Sequence, residues 1–430
     1  MLRAALTLLL TLPLSATPLK ILAAGDSLTD EYAFSFPFNS ADSNPGVPNI
    51  QNWTELLVQH RATEASFGAA FSPYPDRRIG GYELNFGFVG FTTFDYLEVV
   101  TSDQITDPYF TTRAALISEI PNADVAVIFL GGNDLKNDYD DILENTEPPV
   151  GPRDFYEAIV HRISLIHTWI RIEDPSMPIV LCTVPDVGAT PEIEGTFGAH
   201  PNFDGARAKI AQLNDDIAAL AAGLSNTTVA RIDQLTDRVF DDDPFHLNGT
   251  LFTIEGDPEN PPDHVFSKDD FHPATPAQAL IANEIMAAIN ELTGSSLTPF
   301  SDREILDDLL GLDPDQPYLD WIGGFSVADA SMSGDSDLDR LPNLIEMALG
   351  TPPDQFSSPL SGNFDPSSGL SWTPDPIAAR YVDLFAQESG NLAQWDAVPA
   401  ERLSENAGTI TATPPAGESH HFGRLKTQPR

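Results

Sequence analysis

Apolar residues in the first 295 positions follow two spacings. Short, nearly continuous runs at LKILAAG (19–25), YELNFGFVG (82–90), DVAVIFLGG (124–132), PIVLCTV (178–184) and TTVARID (227–233) predict five strands. Between them the spacing becomes helical. In 153–172, residues Phe155, Ile159, Ile163, Ile166 and Ile170 fall on one face. The runs 205–224 and 274–294 are likewise amphipathic, the latter closing on Gly294, and NWTELLVQHR is a shorter helix. Strands alternating with helices predict an α/β unit whose parallel sheet is covered on both faces.

Two long polar stretches interrupt this alternation, at 31–52 and 240–270. Loops of this length in a compact α/β unit serve either as lids and specificity walls or as surface decoration. Phe34, Phe36 and Phe38 suit an acyl pocket or a half-buried strand equally. Beyond residue 295 the composition shifts. Residues 296–330 read as a linker with a short helix, and 331–430 as a small module with strands at LSWTP, RYVDLFAQ and HHFGRLKTQ.

The start of the chain reads as an export signal over 1–16. Arg3 precedes an apolar stretch at 4–15 that is too short to span a bilayer, and small residues follow at Ser15–Thr17. A secreted, periplasmic or cell-surface location follows as an expectation. No later segment is long and apolar enough to cross a membrane. Asp and Glu total 64 against 22 Lys and Arg, a formal net charge of −42, which repels nucleic acid and anionic lipid surfaces. One cysteine, Cys182, precludes an internal disulfide and any Cys-based metal cluster, and its apolar surroundings read as core. NWT (52–54), NTT (226–228) and NGT (248–250) match glycosylation sequons.

The first strand ends in GDSLTD, where Ser27 is either a turn former or a hydroxyl nucleophile, and the local pattern does not decide between them. A nucleophile needs a base, an orienting carboxylate and oxyanion donors. Three more stretches stand at strand ends or a helix start: NFGFVGFTT (85–93), GGND (131–134) and DDFHP (269–273), with Pro273 suited to the first helical position. Together these four resemble the blocks of the GDSL, or SGNH, hydrolase family, in this order, over roughly residues 19–295; VPDVGATP (184–191) adds to the likeness. The resemblance implies a three-layer α/β/α sandwich with a mainly parallel five-stranded, flavodoxin-like sheet. It implies Ser27 as nucleophile, His272 as base and Asp269 as its orienting carboxylate. The oxyanion donors would be Ser27, Gly90 and Asn133. Asp270 falls out of register and takes no role. Val89 and Phe91 depart from the residues common in relatives, beside the site. No cofactor is implied for the chemistry.

The remaining histidines read as structural. His60, His161 and His167 lie in helical patterns, His246 and His264 in the second polar stretch, and His420 and His421 in the tail. A separate pattern stands at DSDLDRLPNLIE (335–346). Asp335, Asp337, Asp339, the Leu341 carbonyl, Asn343 and Glu346 occupy positions 1, 3, 5, 7, 9 and 12 of a calcium loop. Arg340 stands where such loops have glycine, at a cost of about 1–2 kcal/mol if the backbone is left-handed there. The competing reading is an acidic, solvated turn before a short helix.

The expectation is thus a secreted serine hydrolase acting on a carboxylic ester through an acyl-enzyme. Its partner would be an ester substrate: a small molecule, a lipid or an acylated extracellular polysaccharide. A lysophospholipase or thioesterase type, and a non-catalytic surface-binding protein on the same fold, stay open as alternatives.

Overall fold

A computed structural model describes residues 17–33, 50–71, 74, 76, 78, 80–240, 243–259, 261–357, 364–365, 369–415 and 422–430. Residues 1–16, expected to be an export signal, and Phe34, Phe36, Phe38, His420 and His421 lie outside the described residues. The chain divides into two compact units: 1–242 with 254–300, and 243–253 with 301–430.

The first unit is built on one parallel sheet. Its strands are β1 (Leu19–Gly25), β2 (Ala65–Ser66), β3 (Asn85–Gly87), β4 (Val125–Phe129), β5 (Ile179–Cys182) and β6 (Thr227–Ala230). The path runs β2-β1-β4-β5-β6, with β3 continuing beside β1 on the β2 edge. All five predicted strands are present; β1 keeps its full predicted span and the other four are shortened. The second contracts most: Gly81–Tyr82 pairs antiparallel with Ala70–Phe71, and only Asn85–Gly87 joins the sheet.

Alternation along the strands builds the layers. Leu22, Ala24, Ala126, Ile128, Ile179 and Leu181 share a core with helices α2 (Thr93–Thr101), α3 (Phe110–Glu119), α6 (Phe155–Glu173) and α8 (Phe203–Gly223). Between α3 and α6 run the short helices α4 (Gly132–Asn137) and α5 (Tyr139–Glu144), and between α6 and α8 runs α7 (Pro191–Phe197). The alternate residues Ile21, Ala23, Val125, Val127 and Val180 are equally buried and point to the opposite face. There α1 (Trp53–His60) packs on α10 (Thr275–Thr293), which also meets β4, β5 and β6; α9 (Asp233–Phe240) precedes it. The three-layer sandwich follows. Capping boxes set three helix starts: Asn52–Glu55, Thr92–Asp95 and Asp154–Glu157.

One boundary differs from expectation. Helix α10 starts at Thr275 with Ala274 as N-cap, so Pro276, not Pro273, sits in the first turn. Asn52 and Asn248 are fully buried, hydrogen-bonded side chains, which removes two of the three sequons from solvent; Asn226 is exposed. Cys182 is buried in β5, and burial pushes its thiol pKa up. Among the described residues no helix is long and apolar enough to cross a membrane.

The second unit starts with the hairpin β7 (His246–Leu247) and β8 (Thr250–Leu251), tied by Asn248 N–H to Asp302 and by its amide to the Pro314 carbonyl. The stretch with linker-like composition carries α11 (Gln316–Gly323), and α12 (Asn343–Leu349) follows. Two antiparallel sheets close the chain. One is β9 (Phe364–Asp365), β10 (Gly369–Trp372), β14 (Thr409–Ala412) and β13 (Leu403–Asn406); the other is β12 (Asp396–Ala397), β11 (Val382–Ser389) and β15 (Phe422–Pro429). Trp372 and Ala412 of the first meet Ala386 and Leu425 of the second in one core.

Candidate active site

In a sheet with this strand order, neighbours β1 and β4 send their connections to opposite sides, and a crevice opens at their C-terminal ends. The register places three loops there. Gly25 pairs with Gly87 on one side and with Phe129 on the other, so the chain after β1, β3 and β4 emerges at one edge. Gly87 is required for this approach: a Cβ there would lie 2.4 Å from the Asp30 backbone nitrogen. After Gly25 the chain makes a tight turn rather than a helix, the Asp26 carbonyl accepting from the Thr29 and Asp30 N–H groups. Ser27 stands on this turn, only 5% exposed.

His272 and Asp269 arrive together on one loop before α10. The loop is closed by the Ser267 N–H donating to the His272 carbonyl, and a bridge pairs Phe266 with Pro273. Asp270 turns its corner at φ 60° and accepts from the Gly256 N–H. His272 Nε2 lies 2.8 Å from Ser27 Oγ, and its Nδ1 lies 2.6 Å from Asp269 Oδ2. Asp269 Oδ1 accepts from the Ser267 hydroxyl and from the Phe271 and His272 N–H groups. Burial raises the Asp269 pKa, but the His272 hydrogen bond and charge, with the other donors, hold it well below the usual carboxylate range. An ionised Asp269 accepts a hydrogen bond from the His272 Nδ1–H and so keeps that proton on Nδ1, which leaves the Nε2 lone pair to accept from Ser27.

The other two blocks are joined to each other. Asn133 donates from Nδ2 to the Phe91 carbonyl at 3.0 Å. Asp134 is buried and accepts from both the N–H and the hydroxyl of Thr93 at 2.7 Å, locking the start of α2 to α4. Gly90 is exposed at φ 78°, and a Cβ there would meet nothing, so its backbone borders open space. Asp26, 2% exposed, accepts from the Leu28 N–H; burial pushes its pKa up to about 7 against that bond, and the Asp134 charge adds to the rise.

Sequence patterns alone do not single out several supporting residues. Tyr32, fully buried, donates to the Pro273 carbonyl and accepts from Gln278, and its ring stands edge-on to His272 at 6.4 Å. Lys136 sits 3.6 Å from the Phe271 ring and pairs with Glu192, whose N–H holds the Asp270 carbonyl. Only the Ser267-x-Asp269 spacing, a common local hydrogen-bonding pattern, offered a signal. Three of the other histidines have partners of their own: His167 with Thr227, His246 with Asp243 and His264 with Asp263. In the second unit, the carboxylates of Asp335, Asp337 and Asp339 lie within 4.8 Å of one another, ahead of Leu341 and the buried Asn343 and Glu346.

The sequence profile of the family described as GDSL-like lipase/acylhydrolase matches residues 21–285. No curated protein matches. Among solved structures, a carbohydrate esterase family 3 protein from Talaromyces cellulolyticus is 14% identical, with TM-score 0.35, over 65% of this chain and 100% of that one. A lipase/acylhydrolase from Enterococcus faecalis is 16% identical, with TM-score 0.35, over 65% and 98%. A carbohydrate esterase family 3 protein from Clostridium thermocellum is 15% identical, with TM-score 0.31, over 64% and 96%.

Proposed function

Because the chain belongs to the GDSL-like lipase/acylhydrolase family, and is therefore a carboxylic ester hydrolase, we propose that it works through an acyl-enzyme on Ser27. The observation that carries this reading is the continuous line from Asp269 through His272 to Ser27 at 2.6 and 2.8 Å. Ser27 Oγ attacks the ester carbonyl carbon while its proton passes to His272 Nε2. The imidazolium is stabilised by Asp269, which stays ionised. The carbonyl oxygen, now anionic, takes hydrogen bonds from the Ser27 and Gly90 N–H groups and the Asn133 amide. The open side of Gly90 and the anchoring of Asn133 to Phe91 support that assignment. Collapse breaks the ester C–O bond, and the alkoxide leaves as an alcohol with the Nε2 proton. Water then attacks the acyl carbon, gives its proton to His272, and the acid departs as Ser27 is restored.

We further propose that the protein is exported and removes short acyl groups from an extracellular polymer such as an acetylated polysaccharide. The leader-like start and the appended second unit support this. The test is hydrolysis of p-nitrophenyl acetate, butyrate and octanoate, and acetate release from an acetylated polysaccharide, by the purified protein beside Ser27→Ala. Activity on acetate that disappears with Ser27 is expected. Activity that survives Ser27→Ala overturns the nucleophile, and a preference for octanoate overturns the short-acyl reading.

A further inference from the structure

The second unit contains a buried carboxylate that its own fold leaves without a partner. Glu346, on α12, is 0% exposed, and neither Oε atom has a hydrogen-bond partner. An ionised carboxylate in that position is strongly unfavourable unless a cation or donors meet it. Three more oxygens nearby share this state: Asp335 Oδ1, Asp337 Oδ2 and Asn343 Oδ1. Asn343 is also 0% exposed, and its amide orientation is set because Nδ2 donates to the Asp329 and Ser331 carbonyls. Asp335 and Asp337 each use one oxygen on a loop N–H, those of Arg340 and Asp339, and keep the other. Asp339 accepts from the Leu341 N–H and from Ser357. Asp337, Asp339 and Asp335 are the first charges to act on the Glu346 carboxylate, and their own carboxylate oxygens lie within 4.8 Å of one another.

We propose that residues 335–346 bind one calcium ion through Asp335, Asp337, Asp339, the Leu341 carbonyl, Asn343 and Glu346. All donors are oxygen, and four are carboxylates, which selects a hard cation; the number of donors exceeds what magnesium accepts from protein alone. Arg340 takes the left-handed conformation at φ 76°, so the chain makes the loop's sharp turn without glycine. The ion would tie the start of α12 to the loop. Through Leu344, Met347 and Ala348, α12 forms the core of this unit with Tyr318, Ile322 and Tyr381, so calcium should stabilise the unit as a whole.

The experiment uses the full chain, stripped with EDTA and titrated with calcium chloride in about 0.5 M KCl, where diffuse binding to the acidic surface is screened. One saturable site in the range of roughly 10⁻⁴–10⁻³ M is expected. At about 100 times the dissociation constant, the midpoint of the second unit rises by roughly 8–15 °C. Glu346→Gln weakens binding at least about tenfold, and Asp337→Asn does likewise. Without calcium, Glu346→Gln unfolds no earlier than the parent, because it removes the unpartnered charge. If that variant fails to fold, Asp337→Asn, on a partly exposed loop residue, carries the test. No saturable heat and no shift up to about 10 mM calcium overturns the proposal. Binding that is equal in both variants and the parent also overturns it, since the ion would then lie elsewhere.

Discussion

Replacing Asp269 by Asn tests the proposed relay with almost no change of shape. Asp269 Oδ1 accepts from the Ser267 hydroxyl and from the Phe271 and His272 N–H groups, at 2.8, 3.1 and 2.9 Å. An amide oxygen must therefore take that place. Turning the NH₂ toward three donors would abandon three hydrogen bonds of about 1 kcal/mol each and leave donors unsatisfied. The NH₂ group then stands where Oδ2 was, 2.6 Å from His272 Nδ1. It can only donate, so the imidazole adopts the tautomer with the proton on Nε2. That nitrogen now donates to Ser27 instead of accepting from it. The expected result is a fall in kcat of roughly 10³–10⁴, about 4–5.5 kcal/mol of barrier, with KM little changed. The assay is steady-state hydrolysis of p-nitrophenyl acetate between pH 6 and about 10, with a melting curve to show that the fold is intact. The rate of the variant should climb with pH as hydroxide substitutes for the missing base. A kcat within about tenfold of the parent, with the fold intact, would refute the assigned role of Asp269.

Two further outcomes follow. Asn133→Ala should lower kcat by about 100–1000-fold, the effect of one lost oxyanion donor, and unchanged turnover would remove Asn133 from the oxyanion site. Asp26, Glu31 and Glu55 are buried carboxylates whose pKa values burial raises to about 7, 8 and 7. In the unfolded chain they ionise near pH 4, so over the interval up to about pH 8 the folded chain holds protons that the unfolded chain has released, and stability falls as pH rises. His167, held near 4 by burial, acts in the opposite sense, but only below about pH 6.5. Between pH 6.5 and 8.5, with calcium chelated, the first unit should lose about 3 kcal/mol, or roughly 5–10 °C of melting temperature. A midpoint that is flat or rises over that interval would show that these carboxylates are not buried as described.

Local pattern encodes local structure, but it left Ser27 open between turn former and nucleophile. The alternation of apolar runs and helical faces specified an α/β unit, because periods of 2 and 3.6 are properties of single segments. Ser27, Gly90, Asn133, Asp269 and His272 stood out because the four blocks that hold them, taken in order, resemble those of a known family. The 335–346 stretch stood out through the spacing of its oxygen-bearing residues. Nothing local marked Tyr32, which matters only because packing sets it against His272 and Pro273. The burial of Asn52 and Asn248, which closes two sequons, was equally invisible, and so was the membership of 243–253 in the second unit.

The sequence by itself determined which groups were available and in what order. Tertiary structure decided whether they meet. Ser27 and His272 are 245 positions apart, and their 2.8 Å contact depends on strand register, on the absence of a side chain at Gly87 and on the loop closed by Ser267. It also decided the environment of each charge. Asp26 and Asp269 are alike as residues, yet one is raised to about 7 and the other held low, because burial dominates at the first and hydrogen-bond donors with an imidazole dominate at the second. A pKa reports solvent exclusion and neighbours, and both exist only once the chain has packed.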